Sequence, residues 1–323
     1  MKKFSIAIAI MLMSSLGFSQ ASFYKVGDTL FYANNRVTFL KTNTLVIIKE
    51  TNVGENNNVF KVDKYTIDNS SKENKYVLDS KFTTNGLQVL KSNGNFISYY
   101  KNGNKASEGN TVNGKKDNGI WTYFYENGEK KSEEKMSTET FFNDKTENLV
   151  TNFWDEKGRQ TVTNGNGFVQ YKDEAGKVVK GSYKDGLKNE LWTAFDGKTK
   201  KYEETYKKGK LSKGTSWDSS GKSFTYKELN TPTYYKRKDN RAVRKYIDKK
   251  LSRTSGGIDG DLIVNFSVTE KGVLKNINVV KGFTADYNSE VKKILTEMEG
   301  WVPAKKRGQP VSSLYSLDLR FKR

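Results

Sequence analysis

Residues 119–128 read Gly119-Ile-Trp-Thr-Tyr-Phe-Tyr-Glu-Asn-Gly128, a short aromatic run closed by an Asn-Gly pair. Related stretches stand at Gly94–Gly103 and Glu190–Gly197. Aromatic and β-branched residues favour strands, and Asn-Gly supplies the positive φ angles that tight hairpin turns demand. Each stretch therefore predicts an antiparallel hairpin, and their recurrence predicts a series of hairpins.

The spacing of these hairpins is nearly constant. Ile97 and Trp121 are 24 residues apart, while Val169, Trp192 and Thr215 follow one another at intervals of 23. A fixed period of this size is typical of repeat proteins. Because a single hairpin cannot bury its own apolar face, neighbouring hairpins must stack or extend into a longer sheet. A less regular copy at 149–158 is out of phase with the others.

Turn pairs also separate the hairpins from one another, at Asn102-Gly103, Asn127-Gly128, Asn113-Gly114, Asn164-Gly165, Asp185-Gly186 and Lys208-Gly209. The pattern Gly-x-Trp-x-x-Tyr-Tyr-x-x-Gly resembles the MORN-like repeats of bacterial exported proteins. The resemblance covers residues 91–228 and implies a scaffold or interaction surface. We expect the indoles of this region to pack between hairpins, at Trp121, Trp154, Trp192 and Trp217.

The start of the chain has the pattern of a secretory signal: Met-Lys-Lys, an apolar stretch at Phe4–Leu16, and a small-residue site ending at Gln20. The apolar stretch is shorter than the roughly 20 residues that span a membrane. We therefore expect residues 1–20 to be removed, and the mature protein to be exported to the periplasm, the cell surface or the medium. A retained anchor is the alternative.

Residues 21–90 predict further β-structure, either a cap for the repeats or degenerate repeats. Strand-like runs at Thr44–Glu50 and Val59–Ile67 are separated by an Asn-rich turn at Asn56-Asn57-Asn58. Repeat arrays generally need an atypical end that shields the last apolar face.

The texture changes in the last region, residues 229–323. Val243, Ile247 and Leu251 recur at a spacing of four and predict a helix over Asn240–Leu251. Two strands around a turn at Lys271-Gly272 and a second helix over Asp286–Glu299 follow. The second helical stripe comprises Tyr287, Val291, Leu295 and Met298. The final strand alternates at Tyr315, Leu317, Leu319 and Phe321. The predicted fold is mainly β, with a small α-β-β-α-β domain at the C-terminus.

This order resembles the TonB C-terminal domain. The matching phrases are Gly257-Ile-Asp-Gly260, Val264–Val268, Gly272, Val279-Val-Lys-Gly282, Trp301-Val-Pro303 and Gly308-Gln-Pro-Val311. The resemblance implies recognition of a short segment of an outer-membrane transporter by strand addition to an exposed sheet edge.

The edge that would serve this role is the last strand, with Ser313, Tyr315, Leu317, Leu319 and Phe321 as the candidate peptide-binding residues. An alternative is an edge that charged residues merely protect against aggregation. Energy-transducing members of the family carry a membrane anchor and a proline-rich spacer, whereas this chain has three prolines and hairpin repeats in that place. We therefore expect binding without force transmission. The other open hypothesis is a structural scaffold whose repeats contact envelope polymers.

Composition argues against catalysis and against cofactors. The chain has no histidine and no cysteine, which removes the commonest nucleophile pairs and metal ligands. Glu133-Glu134 and Glu203-Glu204 are neighbours on strands, so their carboxylates should face opposite sides. A net charge of +19 predicts weak attraction to anionic polymers. For an exported protein we expect a protein or peptide partner in the envelope and no nucleic acid.

Overall fold

The computed structural model describes residues 24–38, 41–51, 59–70, 75–117, 119–136, 148–236, 240–251 and 260–321. Over these ranges the protein is mainly β, with a small α+β region at the C-terminus, as the sequence predicts. The predicted signal, the Asn56–Asn58 turn and Gly257 lie outside the described residues.

The described chain divides into two compact units. The first contains the described residues up to Asp173 together with Val179–Asn189, and the second contains Glu174–Val178 and the residues from Glu190 onward. The last hairpins therefore share a compact unit with the C-terminal domain, although the sequence pattern changes near residue 229.

The strands up to residue 172 are β1 (Thr29–Ala33), β2 (Arg36–Thr38), β3 (Thr44–Thr51), β4 (Phe60–Ile67), β5 (Tyr76–Thr84), β6 (Ser92–Tyr99), β7 (Lys105–Val112), β8 (Lys115–Lys116), β9 (Gly119–Phe124), β10 (Lys130–Met136), β11 (Leu149–Trp154), β12 (Gln160–Thr163) and β13 (Asn166–Lys172). Most of them pair antiparallel with the next, and β2 and β8 are short side branches on β1 and β7. The strands that follow are β14 (Val178–Lys184), β15 (Leu187–Asp196), β16 (Thr199–Lys207), β17 (Lys210–Trp217) and β18 (Ser223–Tyr226), of which β15 to β18 continue the same antiparallel pairing.

Two kinds of turn join the hairpins. At Asn113-Gly114 both residues have positive φ, 52° and 79°, as a two-residue turn with left-handed backbone requires. At Asn102-Gly103 only the glycine does, with φ 90°. There the Gly103 N–H donates to the carbonyl of Tyr100 (2.9 Å), which describes a three-residue loop with a left-handed glycine. At this Asn-Gly pair the predicted positive φ is therefore supplied by the glycine alone.

The asparagine of the three-residue loop acts through its side chain. The Asn102 Oδ1 accepts from the N–H of Asn104 (2.9 Å), and its amide donates to the carbonyl of Glu126 in the next loop (2.7 Å). Asn127 does the same one hairpin further, since its amide donates to the carbonyl of Glu156 (3.1 Å). Asparagine is thus favoured here because its amide links successive loops.

The register of the repeat differs by one residue from the predicted spacing. Two residues before Trp121 the backbone has positive φ at Gly119 (156°), and Gly94 (93°) occupies the corresponding position before Phe96. Phe96, and not Ile97, is therefore the equivalent of Trp121. The two rings lie 6.0 Å apart, so the aromatic residues of adjacent hairpins pack in a column.

The indoles that were predicted to pack between hairpins are fully buried at two of the four positions. Trp121 and Trp192 are buried, whereas Trp154 and Trp217 remain partly exposed. Gly109 leaves the space for Trp121, because a Cβ at that position would lie 2.5 Å from the indole carbons.

The C-terminal domain has the predicted order of elements. Its regular elements are β19 (Asn230–Thr231), β20 (Tyr234–Tyr235), α1 (Asn240–Leu251), β21 (Gly260–Val268), β22 (Leu274–Lys281), α2 (Ala285–Thr296), β23 (Trp301–Val302), β24 (Ala304–Lys306), β25 (Gln309–Val311) and β26 (Ser313–Phe321). The predicted stripes of both helices are buried in one cluster with the core-facing residues of β21 and β26. In the described chain neither helix is long and apolar enough to cross a membrane.

Three glycine- and aromatic-containing phrases of this domain have structural roles. Gly272 has φ 77°, and a Cβ there would lie 2.3 Å from the carbonyl oxygen of Trp301. A Cβ on Gly282 would lie 2.1 Å from the Asn288 side chain, whose oxygen accepts from the N–H of Phe283 (3.0 Å). Trp301 itself is buried in the domain core. These phrases therefore fix the sheet and the start of α2.

Candidate functional site

The candidate peptide-binding edge is strand β26. The sheet of this domain has the order β22-β21-β26, and β26 pairs antiparallel with β21 from Ser313, opposite Val268, to Phe321, opposite Gly260. Within the described residues no strand pairs with its other side. In the described chain all nine residues of β26 therefore pair on one side only.

Four of the five residues predicted for this edge lie on the face that turns towards the helices. Leu317 and Leu319 are buried in the core, and Tyr315 and Ser313 are partly buried. Tyr315 packs on Trp301 with 5.1 Å between ring centroids. The side chain of Phe321 lies outside the described residues. The predicted residues thus hold β26 on the domain, and the side chains between them point away from the core.

The outward row of β26 consists of Leu314, Ser316, Asp318 and Arg320, all exposed. The charged residues of this edge, Asp318 and Arg320 among them, entered the sequence analysis only as protection against aggregation. Strand alternation was the signal in the sequence that could have identified this row. The side chains of an added strand would lie on both faces of the sheet, so half of them would lie beside the outward residues of β26.

An ion-pair network ties the outward row to the rest of the sheet. The Asp261 carboxylate accepts from Arg320 (3.0 Å) on β26 and from Lys281 (2.7 Å) on β22. The hydrogen bond from Lys281 is the main cause that lowers the pKa of Asp261, with the charge of Arg320 adding to it. Asp261 therefore stays ionised, and the charge of Arg320 is partly neutralised within the domain.

A second site, which the sequence did not predict, joins the last hairpins to the C-terminal domain. Glu204 on β16 is only 1% exposed, and its carboxylate receives three hydrogen bonds. Arg307 Nε donates to Oε1 (2.7 Å), the Tyr226 hydroxyl donates to Oε1 (2.8 Å), and the Tyr206 hydroxyl donates to Oε2 (2.9 Å). We call Tyr202, Glu204, Tyr206, Tyr226 and Arg307 the Glu204 cluster.

The cation of the Glu204 cluster comes from the C-terminal domain. Arg307 lies in the turn between β24 and β25, and its guanidinium stands 3.8 Å from the centre of the Tyr202 ring. Burial alone would lower the pKa of Arg307, but the charge of Glu204 and the hydrogen bond to it raise that pKa overall. The arginine is therefore held charged between a carboxylate and an aromatic face.

The tyrosines of the Glu204 cluster act as hydrogen-bond donors. Burial is the first cause that raises the pKa of both Tyr206 and Tyr226, and the nearby Glu204 raises it further. Both hydroxyls stay protonated at any physiological pH. A buried carboxylate costs free energy unless its oxygens are paired, and here three donors and one positive charge satisfy it.

Backbone contacts reinforce the same junction. Strand β19 pairs with β24, and the N–H of Arg307 donates to the carbonyl of Leu229 (2.7 Å). The Ser216 hydroxyl on β17 donates to the carbonyl of Arg307 (2.7 Å) and accepts from the Gln309 amide (2.9 Å). Gly308 has φ 77°, and a Cβ at that position would lie 3.2 Å from the Cβ of Phe224. The turn of β24–β25 is thus fixed to β17 and β18 of the last hairpins.

The prediction for the two glutamate pairs is borne out at Glu203-Glu204. Glu203 is part-exposed and forms an ion pair with Lys200 (2.9 Å), while Glu204 points to the buried face. The signal for the buried site was present in the alternation Tyr202-x-Glu204-x-Tyr206, which places a carboxylate on the same face as two aromatic residues.

Many lysines of the repeats have partners within the repeats. Lys105 and Lys130 form ion pairs at 2.8 Å with the glutamates three residues later. Their ammonium groups also stand 5.8 Å and 4.9 Å from the rings of Phe124 and Trp154. The same arrangement recurs at Lys200. These lysines form a repeating surface ladder of modest energy.

Among the described side chains, no group of three or more acidic residues is placed to hold a metal ion. No family model matches the chain, and no curated protein matches it in sequence.

Proposed function

We propose that this protein is an exported, non-catalytic binding protein of the cell envelope, whose C-terminal domain takes up an extended peptide by strand addition at β26. The observation that carries the proposal is the one-sided pairing of β26 over Ser313–Phe321 in the described chain. Backbone hydrogen bonds along such an edge give affinity, and the alternating side chains give selectivity.

The resemblance to the TonB C-terminal domain suggests the kind of partner, a segment of an outer-membrane transporter. The architecture favours binding without force transmission, because hairpins take the place of a long spacer and the last of them is fixed to the C-terminal domain through the Glu204 cluster. The absence of histidine and cysteine from the sequence favours a non-catalytic role.

Hydrogen exchange on the mature full chain tests the proposal. The probe is a tiled set of synthetic peptides that covers the periplasmic N-terminal segments of the outer-membrane transporters encoded in the same genome. We expect at least one peptide to bind saturably and to slow the exchange of amides within Ser313–Phe321, while the amides of β22 stay unchanged. Saturable binding that protects another region, or no binding by any peptide, would refute strand addition at β26.

The alternative function, a scaffold that contacts anionic polymers, relies on accessible positive charge in the repeats. Lys105, Lys130 and Lys200 are engaged with glutamates and aromatic rings, but the excess of positive charge in the chain leaves other cations for such contacts. Sedimentation with an anionic envelope polymer separates the two functions. A scaffold for such polymers should still bind at physiological ionic strength, whereas a nonspecific surface attraction should be lost on adding salt.

A further inference from the structure

The outward row of β26 offers two unengaged determinants, one apolar side chain and one carboxylate, beside two polar residues. Leu314 is 86% exposed, which makes it the most exposed of the large apolar side chains in the described chain. Asp318 is exposed as well, and none of the described cations forms an ion pair with it. Arg320, the other charge of the row, is already paired with Asp261.

The spacing of these determinants specifies a ligand. Leu314 and Asp318 are four residues apart on one face, a separation of about 13–14 Å along a strand. In the existing pair, β21 places Ser267 beside Leu314 and Ile263 beside Asp318. A strand added on the free side would therefore place its own residues beside the same two side chains, and opposite charges or apolar groups in such positions attract.

We propose that the β26 edge selects an extended peptide that carries a basic residue followed, four positions later, by an apolar residue, paired antiparallel so that these residues lie beside Asp318 and Leu314. The antiparallel direction follows the β21–β26 pair and is the more stable of the two directions. This inference rests on the proposed strand addition and names its selectivity. It also explains how a chain of net charge +19 accepts a basic segment, since the local charge at the edge is negative at Asp318.

The test uses the mature full chain and three blocked nonapeptides. In TKVTVLVTT the lysine and leucine share a face at the proposed spacing. In TVKTVLVTT the composition is the same but the lysine is on the other face, and in TEVTVLVTT its charge is reversed. We expect the first peptide to bind about fivefold more tightly than the second, and more tightly still than the third. Asp318→Lys should reverse the preference between the first and third peptides. Glu270→Lys, the same charge change in the exposed β21–β22 turn, should leave it unchanged.

The absence of native cysteine allows the register to be fixed independently. A Ser316→Cys chain should form a disulfide with TKVCVLVTT, in which the cysteine lies beside position 316, and not with TKVTCLVTT, in which it faces the other side. If the Ser316→Cys chain is trapped as expected but the three nonapeptides of the first experiment bind with equal affinity, the selectivity is overturned and strand addition stands. No trapping and no binding would overturn both.

Discussion

Replacing Arg307 by methionine should destabilise the second compact unit more than the substitution of any exposed side chain on the β24–β25 hairpin. The substitution removes the charged hydrogen bond to Glu204 (2.7 Å) and the stacking over Tyr202 (3.8 Å), while it keeps much of the side-chain volume. The backbone links of Arg307 to Leu229 and Ser216 do not depend on the side chain and should persist.

The magnitude follows from what is lost. A hydrogen bond to a charged group contributes about 1.5–3 kcal/mol, and a partly desolvated cation–π contact contributes about 0.5–2 kcal/mol. Removal also leaves Glu204 as a buried carboxylate with only its two tyrosine donors, which is the costly way to break a buried ion pair. Because the Arg307 side chain is 28% exposed, we expect a total loss of about 3 kcal/mol, in the lower part of the sum of these two ranges. This loss changes the equilibrium constant for unfolding about a hundredfold.

Urea unfolding of the full chain, followed by tryptophan fluorescence, measures the loss, and native-state hydrogen exchange assigns it to β16–β18 and β24–β25. Lys306→Met is the matched control, because it removes the same charge from the adjacent exposed residue and should change stability by less than about 0.5 kcal/mol. An Arg307→Met chain as stable as this control would refute the view that the Glu204 cluster holds the junction together.

Three further predictions concern single residues of the repeats and of the β region that precedes them. Glu190 is exposed and has φ 58°, a left-handed conformation that glycine adopts without strain. Glu190→Gly should therefore raise the free energy of unfolding by about 0.5–1 kcal/mol in the same urea experiment. A loss of stability would contradict the argument. Gly109→Ala should cost about 1–3 kcal/mol, because its Cβ would lie 2.5 Å from the Trp121 indole; an unchanged urea midpoint would show that the ring moves aside freely. The hydrogen bonds from Lys101 and Ser70 lower the pKa of Asp68 to about 2, so the contribution of Asp68 to stability is present above pH 4 and is lost as the pH falls towards 2. An NMR titration of the carboxyl carbon of Asp68 should show a low midpoint that Lys101→Met raises. A midpoint near 3.9 in the unsubstituted chain would argue against this network.

The sequence predicted those features that depend on local periodicity. The stripe of Val243, Ile247 and Leu251 predicted α1 with the bounds that the structure has, because a spacing of four on an apolar face has few other solutions. Alternation predicted β26 in the same way. The predicted repeat register was wrong by one residue, since the spacing of Ile97 and Trp121 does not reveal that Gly94 is the equivalent of Gly119, and Phe96 therefore the equivalent of Trp121.

The features that the sequence did not predict depend on contacts between distant residues. Glu204 and Arg307 are 103 positions apart, and neither residue type indicates a buried partner by itself. The turn types at Asn102 and Asn113 also differ, although both are Asn-Gly pairs. The difference lies in loop length, which follows from where the flanking strands begin to pair and not from the two residues of the turn.

The Glu204 cluster also bears on the candidate edge, because the two are close in the chain. Strand β25 ends at Val311 and β26 begins at Ser313, so one residue separates the hairpin that Arg307 anchors from the edge proposed to bind a peptide. A peptide that adds to β26 must therefore pair with a strand whose start is already held by Ser216, Gln309 and the β19–β24 pair. Such anchoring reduces the entropy lost on binding, since the edge is already ordered. It also means that the C-terminal region taken alone, from residue 229, would lack Glu204, Ser216 and Tyr226. Arg307 would then lose the partners of its side chain, and the edge would lose part of the support that makes it a rigid template for a new strand.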